Sequence, residues 1–164
     1  MIVLYLALVY VLVVWVGTGL FVPHFVFKRG QLPSVIPDEL KEHIYQLNQE
    51  SADKIDFLKK SYEFVTHMYR GSRVQTVTNF WKAFQNPLEL NPGFMPCNGQ
   101  NYLLRLMLVK SGRFTEKDIH IKTVPLNFFI HQYLCIHVSD QWIEVDPWSA
   151  FLGVPFGKKL AFFG

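Results

Sequence analysis

The fold turns on His131-Gln-Tyr-Leu-Cys-Ile-His-Val-Ser-Asp-Gln-Trp-Ile-Glu-Val-Asp-Pro147. Two runs rich in β-branched, aromatic and aliphatic residues flank Ser139-Asp140-Gln141, the composition of a β-hairpin. Asn127 to Val138 and Trp142 to Val145 read as its strands. Period-two alternation places His131, Tyr133, Cys135 and His137 on one face. With Ser139-Asp140 as a two-residue turn, Val138 pairs with Gln141 and Tyr133 with Asp146. Asp146 then lies diagonal to His131 on the same face, about 7–8 Å away between backbones and within reach of its side chain.

Working back along the chain, Ile119 to Val124 alternates as a strand. Before it comes Cys97-Asn-Gly-Gln-Asn-Tyr-Leu-Leu-Arg-Leu-Met-Leu-Val-Lys-Ser-Gly112. Gln100 to Lys110 is dense in helix formers, and Gly112 suits the helix cap. Cys97 therefore falls at a helix N-terminus, where free N–H groups and the dipole favour thiolate over thiol and can receive an oxyanion. From Gly71 to Pro96 the periodicity fades, and Val74 to Phe84 fits either a strand or a short helix. Further upstream, Pro37 opens a helix with Asp38 and Glu39 in its first turn and Leu40, Ile44 and Leu47 on one face. A second helix opens near Ser51, with Ile55, Leu58, Tyr62, Val65 and Tyr69 as its apolar stripe and Gly71 as its stop. His43 and His67 sit on these helices without partners at ligand spacing.

The chain has 164 residues, enough for one domain with a sizeable core. Its charged side chains begin only at Lys28; Met1 to Phe27 holds no Asp, Glu, Lys or Arg. About 20 apolar residues cross a bilayer as a helix, so residues 1–27 are expected to be a retained transmembrane anchor. Neither a positive n-region nor a small-residue cleavage site marks them as a signal peptide. Residues 28–37 make a linker stiffened by Pro33 and Pro37, and 38–164 the folded domain. Lys28, Arg29 and Lys41 flank the anchor on its C-terminal side, which by the positive-inside rule makes this a single-pass membrane protein with a cytoplasmic domain. The net charge is +3 and no basic cluster exceeds a pair, so nucleic acid is not the expected partner. Two cysteines, Cys97 and Cys135, are too few for a disulfide scaffold.

A histidine held by a carboxylate, beside a cysteine at a helix start, is the arrangement of nucleophilic cysteine catalysis. On these residues the chain resembles the transglutaminase-like superfamily, the papain-like cysteine protease and transglutaminase core. Cys97 opens a helix that ends at Gly112, fifteen residues on. His131-Gln-Tyr133 stands where the family carries His-x-Trp, and Trp142-Ile-Glu-Val-Asp146-Pro147 matches its Trp-x-x-x-Asp-Pro ending, fifteen residues after the histidine. The resemblance spans roughly Ser51 to Trp148. Tyr133 departs from the family's Trp, and Arg113-Phe-Thr-Glu replaces its basic-aliphatic run after the glycine.

The resemblance implies an α+β domain: N-terminal helices, the catalytic Cys at a helix N-terminus, and an antiparallel sheet carrying His and Asp. It implies Cys97 as nucleophile, His131 as base and Asp146 as its orienting carboxylate, acting on amide or peptide bonds of a protein or peptide substrate with no cofactor and no metal. Hydrolysis and transamidation share the acyl-enzyme, and the oligomeric state is open. Gln75, Asn79, Trp81 and Gln85 are candidates for the second oxyanion donor. His137 is a rival base, about 20 Å along the strand from His131. A zinc site from Cys97, His131, Cys135 and His137 is disfavoured, because His131 and Cys135 lie about 13 Å apart along an extended strand. A non-catalytic interaction module of the same superfamily is the alternative. Trp142 reads as a core aromatic, Glu144 as an exposed strand residue, and Phe151 to Phe163 as core packing or a strand.

Overall fold

In the computed structural model, which describes residues 1–13, 32–126 and 129–160, the apolar N-terminus forms helix α1 over Ile2–Val11. Ten residues at a rise of ~1.5 Å reach about 15 Å, half of a bilayer's ~30 Å hydrocarbon core. No helix among the described residues is long and apolar enough to cross a membrane. This overturns the expected transmembrane anchor over residues 1–27. The single-pass membrane localisation falls with it, as does the cytoplasmic placement inferred from the flanking charges of that anchor. Residues 14–31, which hold the rest of the apolar stretch and the start of the linker, lie outside the described residues.

Helix α2 runs over Asp38–Glu50 and α3 over Lys54–Met68. Pro37 precedes α2 and the acids Asp38 and Glu39 fill its first turn, with Ile44 buried and Leu40 and Leu47 packed beside it. Helix α3 starts after Ser51 because Asp53 caps it, its carboxylate accepting from the Asp56 amide at 2.8 Å. Its buried face is Phe57, Leu58, Ser61, Tyr62 and Val65. Ile55, expected on that face, is 43% exposed; at about 100° per residue it falls on the face's edge.

Strand β1 (Tyr69–Arg70) leads into helix α4 (Arg73–Thr78), so Val74 to Phe84 begins as helix and continues as a 3-10 turn over Phe80–Phe84. Strand β2 (Gly93–Phe94) returns parallel to β1. Helix α5 then spans Cys97–Lys110, with Gly112 at φ +76° turning the chain away. Strands β3 (Ile119–Leu126), β4 (Phe129–Val138) and β5 (Gln141–Val145) form an antiparallel sheet in that order. Val138 pairs with Gln141 and Leu134 with Val145, the register read from the sequence. Ser139 and Asp140 form the turn at φ +47° and +65°, the mirror-image turn whose twist suits a hairpin.

The core lies between α3, α5 and the inner face of the sheet, where Phe57, Leu58, Val65, Leu104, Met107, Leu108, Leu134, Ile136 and Val145 are fully buried. Helix α5 is buried around most of its circumference, which explains why its sequence lacks a polar stripe. Its one buried cation, Arg105, is met by Glu116 through a two-pronged pair at 2.8 and 2.9 Å.

The run after Gly112 has structural work. Arg113 donates to the Asn48 side chain and, at 2.9 Å each, to the carbonyls of Asn48 and Ser51, locking the α2–α3 corner. Phe114 is core. Trp142, by contrast, is 48% exposed and packs against the rings of His120 and His137 on the sheet's outer face. It is not the expected core aromatic, because its strand position faces solvent. Glu144 is half-buried in an ion pair with Lys159 rather than exposed.

Gly71 does more than follow α3. A Cβ there would sit 2.2 Å from the Trp148 carbonyl oxygen and 2.5 Å from the Phe151 ring. Gly71→Ala is therefore expected to cost about 1–3 kcal/mol or more in urea unfolding, as overpacking does. Val74→Ala, at a position 71% exposed, should stay within about 0.5 kcal/mol. Equal small effects would contradict the close approach.

Candidate active site

Cys97 sits at the first position of α5, after Pro96 in extended conformation. The turn is fixed from three sides. The Met95 amide donates to the Arg70 carbonyl at 3.3 Å, extending the β1–β2 pairing. The buried Gln100 side chain donates to the Met95 carbonyl at 2.8 Å. Asn98 donates to the Ala83 carbonyl, also at 2.8 Å. Gly99 is needed here, since a Cβ would come within 2.8 Å of the Met95 side chain. The first-turn N–H groups of a helix have no partners within it, so the Cys97 sulfur is born beside donors.

His131 and Asp146 meet as the hairpin register requires. The imidazole Nε2 lies 2.7 Å from the Asp146 carboxylate, and both side chains are essentially sealed from solvent, at 2% and 0% exposure. Cys97 is the other side chain that acts on the imidazole, favouring its protonated form. With Nε2 engaged by Asp146, Nδ1 is the nitrogen left for the sulfur. The three residues singled out in the sequence are thus brought together from a helix start, a strand and the end of a second strand.

Asp146 is held by more than the histidine. Its other oxygen accepts from the Ser149 amide at 3.2 Å, and the Leu160 amide donates at 3.0 Å to the oxygen that also meets His131. Trp148 packs on the imidazole with ring centroids 5.1 Å apart. Asn101, one helical turn after Cys97, donates to the Gln132 carbonyl at 2.8 Å. That bond ties the cysteine's helix to the peptide next to His131.

Burial alone would lower the affinity of His131 for its second proton. The Asp146 hydrogen bond and the neighbouring Cys97 side chain outweigh it, lifting the imidazole pKa from 6.5 to about 9. An imidazolium beside the Asp146 carboxylate is therefore the favoured form at neutral pH. At Cys135, burial and then the Glu144 charge push the thiol up.

His137 does not share the site. It lies against Trp142, with centroids 5.0 Å apart, and is one of the charges near Asp118. Cys97, His131, Cys135 and His137 do not gather around one point; among the described residues no group of three or more His, Cys, Asp and Glu could hold a metal. Gln75, Trp81 and Gln85 are exposed along residues 75–85, and Asn79 caps α4 half-buried.

Sequence reasoning missed Asn101, Trp148 and Leu160. Asn101 had a signal, since a polar residue at i+4 shares the face of Cys97. Trp148 had only its nearness to Asp146, and Leu160 acts through its backbone, which no side-chain pattern marks. Compared with family models, curated proteins and solved structures, the chain matches none.

The raised imidazole pKa has a consequence for stability. A group whose pKa is higher folded than unfolded stabilises fully below its unfolded value and loses that contribution as pH rises through its folded value. The stability difference between the wild type and His131→Gln should therefore be largest below pH 6.5 and shrink up to about 9. Denaturant unfolding across that range checks it. A difference that grows with pH would contradict the charged imidazole.

Proposed function

We propose that this protein is a thiol-dependent hydrolase or acyltransferase of transglutaminase-like type, acting on amide or peptide bonds of protein or peptide substrates. The observation that carries this reading is the convergence of Cys97, His131 and Asp146, with the sulfur at a helix N-terminus and the carboxylate sealed behind the imidazole.

In this reading the Cys97 sulfur attacks the carbonyl carbon, and the carbonyl electron pair moves onto oxygen. The N–H groups of the first turn of α5 face that developing charge. His131 passes its proton to the amide nitrogen, the C–N bond breaks, and the free amine leaves a thioester on Cys97. In the second half His131, now neutral, takes a proton from water as the water oxygen attacks the thioester. The acid product leaves and the thiolate–imidazolium pair is restored. An amine in place of water gives transamidation by the same steps. Asp146 keeps its charge throughout, fixing the ring and stabilising the imidazolium. We favour water as acceptor, because so small a domain offers no obvious second site.

Alkylation and turnover test the reading together. Iodoacetamide should modify Cys97 faster than Cys135 at neutral pH, and Cys97→Ala should remove both that labelling and amidase activity. His131→Ala should slow acylation by about 10²–10⁴-fold, the range for loss of a general acid–base. Equal, sluggish labelling of the two cysteines would instead support a non-catalytic interaction module.

A further inference from the structure

The last described segment of the chain crosses the two strands that carry His131 and Asp146. After the left-handed turns at Gly153 and Gly157, at φ +79° and +84°, it returns to the sheet's outer face. There the Lys159 ammonium forms an ion pair with Glu144 at 2.9 Å and donates to the Tyr133 hydroxyl at 3.0 Å, above the Tyr133 ring. Tyr133 lies two residues after His131 on β4, and Glu144 two residues before Asp146 at the end of β5. Lys159 therefore bridges both strands one step beyond the histidine–aspartate pair. The very next amide, that of Leu160, donates to the Asp146 oxygen that holds His131. Phe156 anchors the middle of the segment edge-on against Tyr62, with centroids 5.3 Å apart.

We propose that residues 153–160 form a positioning strap for the catalytic pair, with Lys159 as the positioning residue that holds the Leu160 amide on Asp146. The proposal rests on the thiolate reading of the site and adds to it a remote residue that keeps a further donor on the carboxylate. A buried carboxylate stays ionised only while its oxygens are met by donors. His131 and the Ser149 amide are supplied by the hairpin and the turn after it. The Leu160 amide comes from fourteen residues further on, and no local geometry would bring it back without an anchor. Lys159 provides that anchor through its bonds to Glu144 and Tyr133.

The ionisable groups around this centre are His131, Tyr133 and Cys135 from β4, Lys122 opposite Tyr133 on β3, Cys97 from α5, Tyr62 from α3, and Glu144 and Lys159 from the sheet edge and strap. Tyr62 stays a neutral phenol, because burial and then the Asp146 charge raise its pKa. Of the two lysines in this set, Lys159 is the one bonded to side chains of both β4 and β5, and its removal leaves the Cys97–His131–Asp146 side chains in place.

The experiment follows the rate of Cys97 alkylation by iodoacetamide against pH in the full chain, with folding monitored by circular dichroism. Lys159→Met should move the acid limb of the profile to higher pH by about 1 unit, the size expected for one lost charge-assisted hydrogen bond. Lys159→Arg, which keeps the charge and the reach, should restore the limb to within about a third of that shift. If Lys159→Met does not fold, Glu144→Gln loosens the same anchor from its other end and should move the limb in the same direction. A folded Lys159→Met or Glu144→Gln variant whose limb superimposes on the wild type overturns the strap while leaving the thiolate reading intact. A wild-type Cys97 that reacts no faster than Cys135 overturns both.

Discussion

A carboxylate with no solvent exposure cannot remain charged without partners, and Asp146 is such a carboxylate. The His131 imidazole at 2.7 Å is its main partner, and most of the surrounding structure can be understood as what keeps the two together. The hairpin sets their register through a turn that needs two consecutive residues of positive φ. The Ser149 and Leu160 amides satisfy the oxygens that the histidine leaves. Losing one member of such a pair would strand the other's charge in the interior, which costs about 3–5 kcal/mol in comparable cases. The pair is therefore a stability element as well as a source of chemistry.

Helix α5 joins this pair to the sulfur. It is buried on nearly every side, so it can neither slide nor rotate without unpacking Leu104, Met107 and Leu108. Asn101 fastens it to β4 beside His131, and β2 fastens its entry to the end of α3. The sulfur's position is thus fixed by core packing on one side and by polar ties on the other. A nucleophile and base held in this way need little reorganisation to react. Gly71 contributes from a distance: its missing side chain lets the Trp148 turn close, and Trp148 in turn covers the imidazole.

The legible parts of the sequence were those governed by local rules. Helices α2 and α5 follow from Pro37, the apolar spacing and Gly112, and the hairpin follows from alternation around Ser139-Asp140. Because a strand's side chains alternate strictly, that register also brings Asp146 near His131. What was not legible depends on distant packing or backbone atoms. Ile55 reads as core by spacing but lies on the edge of its helix face, and Trp142 reads as core by type yet faces solvent. The Leu160 amide and the space at Gly71 carry no residue-type signature. The apolar N-terminus misled for another reason: composition alone suggests a spanning helix, whereas the helix described there extends only over Ile2–Val11.

The most direct test is the charge on the His131 ring itself, read by nitrogen NMR of selectively labelled histidine in the intact chain. The account predicts an imidazolium, protonated at both nitrogens, through neutral pH and up to about 9, with the signal returning to ordinary histidine behaviour in Asp146→Asn. A His131 ring that is neutral at physiological pH, or that titrates at the usual 6.5 with Asp146 in place, would contradict it.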